Sequence, residues 1–396
     1  MQQHRHLTTI VALSSSPGTN RQGRPNKLGA RRRLAASVAA FGISLGTTTV
    51  AFPLLALDVG LGAGAVGLLA ALSAAMQMAA KAALPSLLSR FADRTLMLWS
   101  FLSLAAAASV LLTTTALAGF ITAQTFQGLA RGIFWTTAQT HAVRIPGVAT
   151  RQLAFVQTAG QIGGLVGPAL AGTLAVLSLF AALWAAVILA CLGVLIGLAL
   201  APMPPYPRRP RGIGTPIWRR EGIGVGCWAG AAGGAWRGIL DSFVPVLLEG
   251  AGFSARPIGW LMSIADAASV IGTAAVAKWG DKGMDRFVPS AAMALATGLL
   301  LLPISDQALV IGLVLVVAGL SGGLFGVLST AAINESVDPA DQGAALALVG
   351  VYRAGARSAT PALISGALLL VSLPVALAGA AVAVVLPSIW LRIPPE

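Results

Sequence analysis

The sequence predicts an all-α polytopic membrane protein, with twelve transmembrane helices in two six-helix pseudo-repeats. Three observations support this fold class: the composition, the spacing of the apolar runs and an internal repeat. Hydrophobic residues make up 56% of the 396 residues and charged residues only 10%, and the mean hydropathy is +0.83. A soluble domain carries about 25% charged residues. Most side chains are therefore expected to contact lipid or protein rather than water.

Apolar runs of about 20 residues recur along the chain, and each is long enough to cross a bilayer as a helix. The predicted spans are 34–57, 64–88, 96–115, 117–141, 153–176, 178–201, 222–248, 256–279, 287–304, 307–331, 343–368 and 371–391. Residues 1–33 are polar and basic and are predicted to form a disordered cytoplasmic tail. The two halves then occupy 34–202 and 222–392, and a basic cytoplasmic linker at 203–221 joins them.

Positive charges gather on one side of the predicted membrane. If the N-terminus is inside, arginines and lysines fill the tail, the linker and the inner loops, whereas the outer loops hold only Arg256. Because Lys and Arg are retained in cytoplasmic loops, both termini are predicted to be cytoplasmic in a cell inner (plasma) membrane. The inner loop at 333–342 departs from this trend, since it carries only acids. The net charge of +13 therefore needs no nucleic-acid partner.

The second half repeats the first at a shift of 192 residues. Matched pairs include Pro53 with Pro245, Gly60 with Gly252, Gly67 with Gly259, Asp93 with Asp285 and Arg94 with Arg286. Matched prolines, glycines and charges at one offset are rarer by chance than matched alanines and leucines. Internal duplication of a membrane protein is typical of transporters.

The two halves, the Asp-Arg turn after span two and its echo after span eight resemble the major facilitator superfamily over residues 34–392. The loop "SRFADRTLML" keeps Asp93 and Arg94 of that family's cytoplasmic signature, but departs from its glycine and basic positions. The resemblance implies a gating role for these two residues and for Asp285 and Arg286. The alternative is a loop carboxylate that only stabilises the start of the next helix.

Span five contains "GGLVGPALAG", in which glycines four residues apart allow close approach of another helix and a proline fixes a bend. Gly163, Gly167, Pro168 and Gly172 resemble a span-five pattern of family members that export substrates in exchange for protons. The resemblance implies that this segment faces residues 263–275 of span eight across the boundary between the halves. A tight helix crossing with no role in transport is the alternative.

Charged residues inside spans cost about 2.5–3.5 kcal/mol each on insertion scales, so each requires a reason. The candidates are Arg131, Arg237, Asp241, Asp266, Arg353 and Arg357. In the resembled fold, spans one, four, seven and ten line the cavity, so Arg131, Arg237 and Asp241 are expected to face it. The set carries two net positive charges, which predicts an anionic or zwitterionic substrate. Trp135 and Trp236 are expected to add aromatic surface.

Asp266 is the predicted proton carrier, with Asp241 as the next candidate, because burial favours the neutral carboxyl and a nearby arginine favours the carboxylate. Structural alternatives stay open for each charge. Arg237 and Asp241, four residues apart, are also consistent with a self-neutralising pair, and Asp266 with an ion pair to an unidentified arginine. Arg131 either contacts an anionic group of the substrate or pairs with Asp241 or Asp266.

These features predict a secondary active transporter that exports a small organic molecule in exchange for protons by alternating access. Uptake of an organic anion by the same fold is the alternative. A polytopic membrane enzyme is a remote one, because no clustered acid–base or metal-ligand set appears at a membrane surface. The expected partners are the substrate, the proton gradient and the bilayer. No cofactor or metal is expected, and the protein is expected to act as a monomer.

Overall fold

The computed structural model describes residues 27–145, 149–206, 223–279, 284–336 and 342–390, and among these residues there are helices but no strands. The helices are α1 Lys27–Asp58, α2 Ala63–Leu88, α3 Asp93–Thr113, α4 Leu117–Arg144, α5 Ala149–Leu174, α6 Leu179–Leu198, α7 Ile223–Gly250, α8 Ala255–Trp279, α9 Met284–Leu301, α10 Ala308–Ser336, α11 Gln342–Ala367 and α12 Leu373–Trp390. The twelve-helix prediction is confirmed. The predictions for most of the tail and linker, and for the side chains of Asp285 and Arg286, lie outside the described residues.

The apolar character of the helices is uneven. Within the described ranges, α1, α2, α3, α6, α8 and α10 contain stretches long and apolar enough to cross a membrane by length and hydropathy alone. By contrast, α4, α7 and α11 carry arginines near the middle of their length. Charged side chains at such depth require protein or water around them rather than lipid. These three helices therefore bring arginines into the interior of the bundle.

Each half forms a six-helix bundle. In the first half, α1 packs on α5 and α6, and α3 packs on α4 and α6. In the second half, α7 packs on α10 and α11, while α9 packs on α10 and α12. The halves meet mainly along α5 with α8 and along α2 with α11. The Ser358 hydroxyl of α11, for example, donates a hydrogen bond to the Ala71 carbonyl of α2 at 2.9 Å.

The glycines of α5 contact two different neighbours. Gly163 and Gly167 pack on Gly42 and Gly46 of α1, inside the same half. A Cβ added at Gly167 would lie 2.6 Å from the Cα of Gly46. The prediction that these two glycines face α8 is therefore wrong. Because α1 carries glycines at the same four-residue spacing, the two rows of small residues fit each other at close range.

The end of α5 packs tightly on the start of α8. A Cβ at Gly172 would lie 2.6 Å from the Ala255 carbonyl oxygen, and one at Gly259 would lie 2.8 Å from the Cα of Gly172. These glycine contacts involve the first turns of α8, which precede the predicted stretch 263–275. We call the end of the bundle where α1 begins and α12 ends the terminal face, and the other end the opposite face. The tight crossing of α5 and α8 closes the bundle at the opposite face.

Candidate substrate site

A cavity of about 350 Å³ lies between the two halves, on the side of the terminal face. Its walls come from α1, α4 and α5 of the first half and from α7, α8, α10 and α11 of the second. Six of the predicted substrate and proton residues line it: Arg131, Trp135, Trp236, Arg237, Asp266 and Arg357. Charges from helices as far apart in the chain as α4 and α11 thus meet in one place.

Asp241 of α7 is the centre of a charge network in the floor of this cavity. The Arg131 Nη1 of α4 donates to its Oδ2 at 3.4 Å, and the Arg237 Nε lies 3.0 Å from its Oδ1. Arg357 of α11 also pairs with Asp241. The Asp241 side chain is only 8% exposed. A buried carboxylate needs such partners, because its desolvation is not otherwise offset.

Arg237 joins a second carboxylate to the network, since it also pairs with Asp266 of α8. The arginine that the sequence left unidentified as a partner of Asp266 is therefore Arg237. The Arg237–Asp241 pair exists, but it is not self-contained, because both members have further partners. Arg131 finds its acid across the boundary between the halves, at Asp241. The network consequently links α4 of the first half to α7, α8 and α11 of the second.

Arg353 does not join this network. Its Nη2 donates to the Ser329 hydroxyl at 2.6 Å and to the Gly326 carbonyl at 3.3 Å, both on α10. Among the described residues no carboxylate pairs with it, and it does not line the substrate cavity. Arg353 lies one helical turn before Arg357 on α11, and its side chain is held against α10. The structure therefore does not bring Arg353 to the other predicted substrate residues.

A polar stripe on α4 was missed by the sequence analysis. Gln124 and Gln127 share one helical face with Arg131, at spacings of three and four residues. The Gln127 Nε2 donates to the Thr48 hydroxyl at 2.6 Å, and the Ser73 hydroxyl donates to the Gln127 Oε1 at 3.3 Å. These side chains line a gap of only about 30 Å³ between the charge network and the opposite face. Access to the network in this conformation is therefore from the terminal face.

The two predicted aromatic residues differ in their exposure. Trp236 is 3% exposed, and its ring edge faces Gly322 of α10. A Cβ added at Gly322 would lie 2.8 Å from the Trp236 Nε1. Trp135 is half-buried and packs edge-on against Phe41, with ring centroids 5.9 Å apart. Trp135 therefore offers more free surface to a ligand than Trp236 does.

Asp93 lies fully buried in the first turn of α3, at the terminal face. The Arg144 Nη1 donates to its Oδ2 at 3.2 Å, and the Arg144 Nη2 donates to the Pro204 carbonyl at 2.7 Å. The Arg144 guanidinium also lies over the Tyr206 ring, 4.6 Å from its centroid. Burial raises the pKa of the Tyr206 phenol, which therefore stays protonated and donates to the Thr140 carbonyl at 3.1 Å.

Arg94 acts on the same segment, since its Nη1 donates to the Leu200 carbonyl at 3.2 Å. Asp93 and Arg94 thus hold the start of the segment between the halves against the first half. Within the described ranges, the side-chain contacts of both residues stay in the first half and this segment. The position of Asp93 in the first turn of α3 fits a carboxylate that stabilises a helix N-terminus. The gating role of both residues stays a prediction.

Comparison with known proteins finds a matching family profile and solved structures with a similar fold. A sequence profile of the Major Facilitator Superfamily matches residues 34–361. Similar solved structures include the nucleoside transporter NupG, with 12% identity and a TM-score of 0.76, covering 91% of this chain and 99% of that one. A bacterial homolog of the human lysosomal transporter Spinster has 13% identity and a TM-score of 0.70, covering 92% and 96%. The human organic anion transporter MFSD10 has 16% identity and a TM-score of 0.65, covering 93% and 100%.

No curated protein matches the sequence significantly. At such low identities the solved structures establish the fold alone, and they agree with the twelve helices and two halves described above. The sequence profile covers most of the chain and both of its halves. The chain belongs to the major facilitator superfamily of membrane transporters.

Proposed function

We propose that the protein is a proton-coupled secondary transporter of a small organic zwitterion, and that it works in the direction of export. Membership of the family supports transport of a small molecule across a membrane. The observation that carries the rest is the charge network. Three arginines surround Asp241, and one of them, Arg237, is shared with Asp266 in the floor of a cavity open on one side.

The direction of the opening follows from the proposed topology. The arginine and lysine asymmetry supports cytoplasmic termini, and the terminal face is then the cytoplasmic face. The cavity in this conformation accepts molecules from the cytoplasm. Reporters fused near Arg211 and at the C-terminus should both read as cytoplasmic, and a periplasmic signal at either position would overturn this topology.

The arginines supply the recognition of an anionic group. An arginine presents a planar fork of donors that matches a carboxylate or a phosphate. The side chains of Arg237 and Arg357 are 32% and 17% exposed, whereas that of Arg131 is 6% exposed. A substrate carboxylate entering from the terminal face therefore meets Arg237 and Arg357 first. Arg131 joins in a conformation in which its contact to Asp241 is loosened.

A positively charged group on the substrate would account for exchange with protons. With the substrate carboxylate on Arg237, a substrate ammonium within reach of Asp266 replaces the arginine as its cation. A proton on Asp266 removes the charge that holds the ammonium. Substrate and proton then exclude each other at this residue, and entry of a proton from outside releases the substrate there. The span-five resemblance to exporters supports the same direction.

The sharing of Arg237 also favours a second candidate, uptake of an organic anion together with a proton. An anion without an ammonium group takes Arg237 away from Asp266. A buried carboxylate that loses its cation tends to become protonated. Anion and proton would then bind together and travel in the same direction. The presence or absence of a positive group on the substrate decides between the two candidates.

Proteoliposomes with an imposed pH difference test the proposal. The probes are radiolabelled amino acids as zwitterions and radiolabelled monocarboxylates as anions, with protein-free liposomes as the control. Exchange predicts that an amino acid accumulates inside vesicles with an acidic interior. Co-transport predicts that a monocarboxylate accumulates when the exterior is acidic. Protein-dependent flux that ignores the pH difference would overturn proton coupling.

A further inference from the structure

A second cavity, of about 550 Å³, lies inside the second half, between α7, α9, α11 and α12. We call it the lateral pocket. Apart from the hydroxyl of Thr360 and the indole nitrogens of Trp228 and Trp236, its lining side chains are apolar. Small-molecule sites in proteins typically have volumes of about 300–1,000 Å³ and mostly apolar walls. The lateral pocket therefore has the size and chemistry of a binding site, although no charged residue lines it.

The lateral pocket exists because the second half departs from the first. In the first half, α6 packs along α1, and the Ser44 hydroxyl donates to the Ala186 carbonyl at 2.8 Å. In the described part of the second half, α12 packs on α9 but makes hardly any contact with α7. Trp236 corresponds to Ser44 at the 192-residue shift. Small residues on α12, such as Gly379 and Ala383, widen the space further.

The lateral pocket adjoins the proposed charge site. Trp236 lines both cavities, and its buried Nε1 has no hydrogen-bond partner in the described structure. On α7, Trp236 of the pocket precedes Arg237 of the cavity. On α11, Ala356 of the pocket precedes Arg357 of the cavity. An apolar site and a cationic site are therefore one residue apart on two helices.

The rim of the lateral pocket is exposed on the outer surface of the bundle. Leu363 of α11 is 73% exposed and Val375 of α12 is 55% exposed. Both lie within the spans predicted from the sequence, where exposed side chains are expected to meet hydrocarbon rather than water. Apolar cavities do not hold water and accept apolar ligands. We propose that the lateral pocket binds the hydrocarbon chain of an amphiphilic substrate, whose charged head binds Arg237 and Arg357; the head contact rests on the proposed function above.

N-alkyl-N,N-dimethylglycines test this proposal, because each carries a carboxylate, a quaternary ammonium and one alkyl chain. The butyl compound probes the head site, and the dodecyl compound probes the head site and the lateral pocket together. Binding of radiolabelled compound is measured on the whole protein in lipid nanodiscs, with empty nanodiscs subtracted. The parent protein should bind the dodecyl compound at least tenfold more tightly than the butyl compound.

Ala383→Phe fills the lateral pocket, and Val382→Phe is its matched control. Both residues are exposed neighbours on α12, but only Ala383 lines the pocket. Ala383→Phe should reduce the affinity for the dodecyl compound about tenfold and leave that for the butyl compound within twofold of the parent. Val382→Phe should preserve both affinities. Melting temperatures of the two variants should agree, which excludes a general loss of fold.

The outcomes separate the two proposals. If the dodecyl compound keeps its advantage in Ala383→Phe, or has none in the parent, the lateral pocket holds no substrate chain and the inference falls. The butyl compound then still reports on the head site alone. If Arg357→Ala leaves butyl binding unchanged, or the parent does not bind it, the proposed function is at fault instead. A chain-length gain that depends on Ala383 but not on Arg357 would make the pocket a site for bilayer lipid and overturn the amphiphile proposal.

Discussion

The crossing of α1 with α5 and the crossing of α7 with α11 are the same contact in two versions. In the first half both helices contribute glycines, and Gly46 packs on Gly167 and Pro168. In the second half α7 keeps its glycine, Gly238, which packs on the Arg357 carbonyl and on Pro361. The second half therefore keeps the close backbone packing of the first half. However, α11 carries an arginine, Arg357, whose side chain reaches the cavity. Small residues on one helix alone are therefore enough for the close approach.

The comparison extends to the whole of each half. Among the described residues, the first half contributes one charged residue, Arg131, to the network, and the second contributes all of the others. The lateral pocket also lies wholly within the second half. The first half instead holds the start of the linker through Asp93 and Arg144. One half thus carries most of the proposed ligand chemistry, while the other supplies a tightly packed frame.

The largest effect is expected from breaking the glycine contact of the first half. Gly167→Leu drives a side chain into the backbone of α1, and overpacking of this kind costs about 1–3 kcal/mol or more. We expect little folded protein and a reduced melting temperature, measured in purified membranes. Gly355→Ala is the control, because an added Cβ there has nothing within 4 Å. A Gly167→Leu protein with the parent's melting temperature would refute the close contact.

The next effect concerns the single charge from the first half. Arg131→Ala should insert normally but lose transport, and Arg131→Lys should be impaired, because an ammonium lacks the planar fork. Hydrogen bonds to charged groups contribute about 1.5–3 kcal/mol, which is more than tenfold in affinity. Arg353→Lys, which alters an arginine outside the network, should lose less transport activity than Arg131→Lys. If Arg131→Ala loses the same binding affinity for a charged ligand as for its neutral analogue, Arg131 has a structural role and does not recognise an anionic group.

A smaller effect is expected where the halves meet at the opposite face. Gly259→Ala places a carbon against Pro168 and Gly172, so it should open the contact between α5 and α8 and shift the balance of conformations several-fold. Distances between spin labels at the ends of these helices would report the shift. Gly64→Ala is the control, because its added carbon would meet the Ser365 carbonyl of α11 at an ordinary 3.8 Å. Identical distance distributions in both variants would contradict this assignment of the closed end.

The smallest effect belongs to the linker contact. Tyr206→Phe removes the hydrogen bond to the Thr140 carbonyl, which contributes about 0.5–1.5 kcal/mol. The melting temperature should fall slightly, and Asp93→Asn should lower it further, because Arg144 then loses its carboxylate. Tyr352→Phe is the control, since that tyrosine is 49% exposed on α11. If Tyr206→Phe and Tyr352→Phe have the same melting temperature, the linker contact makes no measurable contribution to stability.

The helices and the halves could be predicted because bilayer thickness fixes the length of a spanning helix and duplication leaves matched residues at one offset. The charged candidates stood out for their insertion cost. The Arg237–Asp241 pair could be predicted from its four-residue spacing, but the sequence left the choice between substrate, Asp241 and Asp266 open for Arg131, because Arg131 and Asp241 are 110 positions apart and meet only through the docking of the halves. The packing of Gly167 on α1 could have been predicted, because α1 contains glycines at the same four-residue spacing, Gly42 and Gly46. No sequence pattern indicated the hydrogen bond of Tyr206 to the Thr140 carbonyl, since this contact depends on where the linker leaves the bundle.

The most direct test of the account is the pH dependence of transport in Asp266→Asn, compared with Asp241→Asn. The central claim is that Asp266, paired through Arg237 to the substrate site, couples protons to substrate. An amide in place of this carboxylate still accepts a hydrogen bond but neither binds nor releases a proton. Asp266→Asn should therefore bind substrate and show flux that no longer responds to an imposed pH difference. Asp241→Asn should mainly weaken binding, because three arginines lose their shared carboxylate. Unchanged proton-driven flux in Asp266→Asn would contradict the claim.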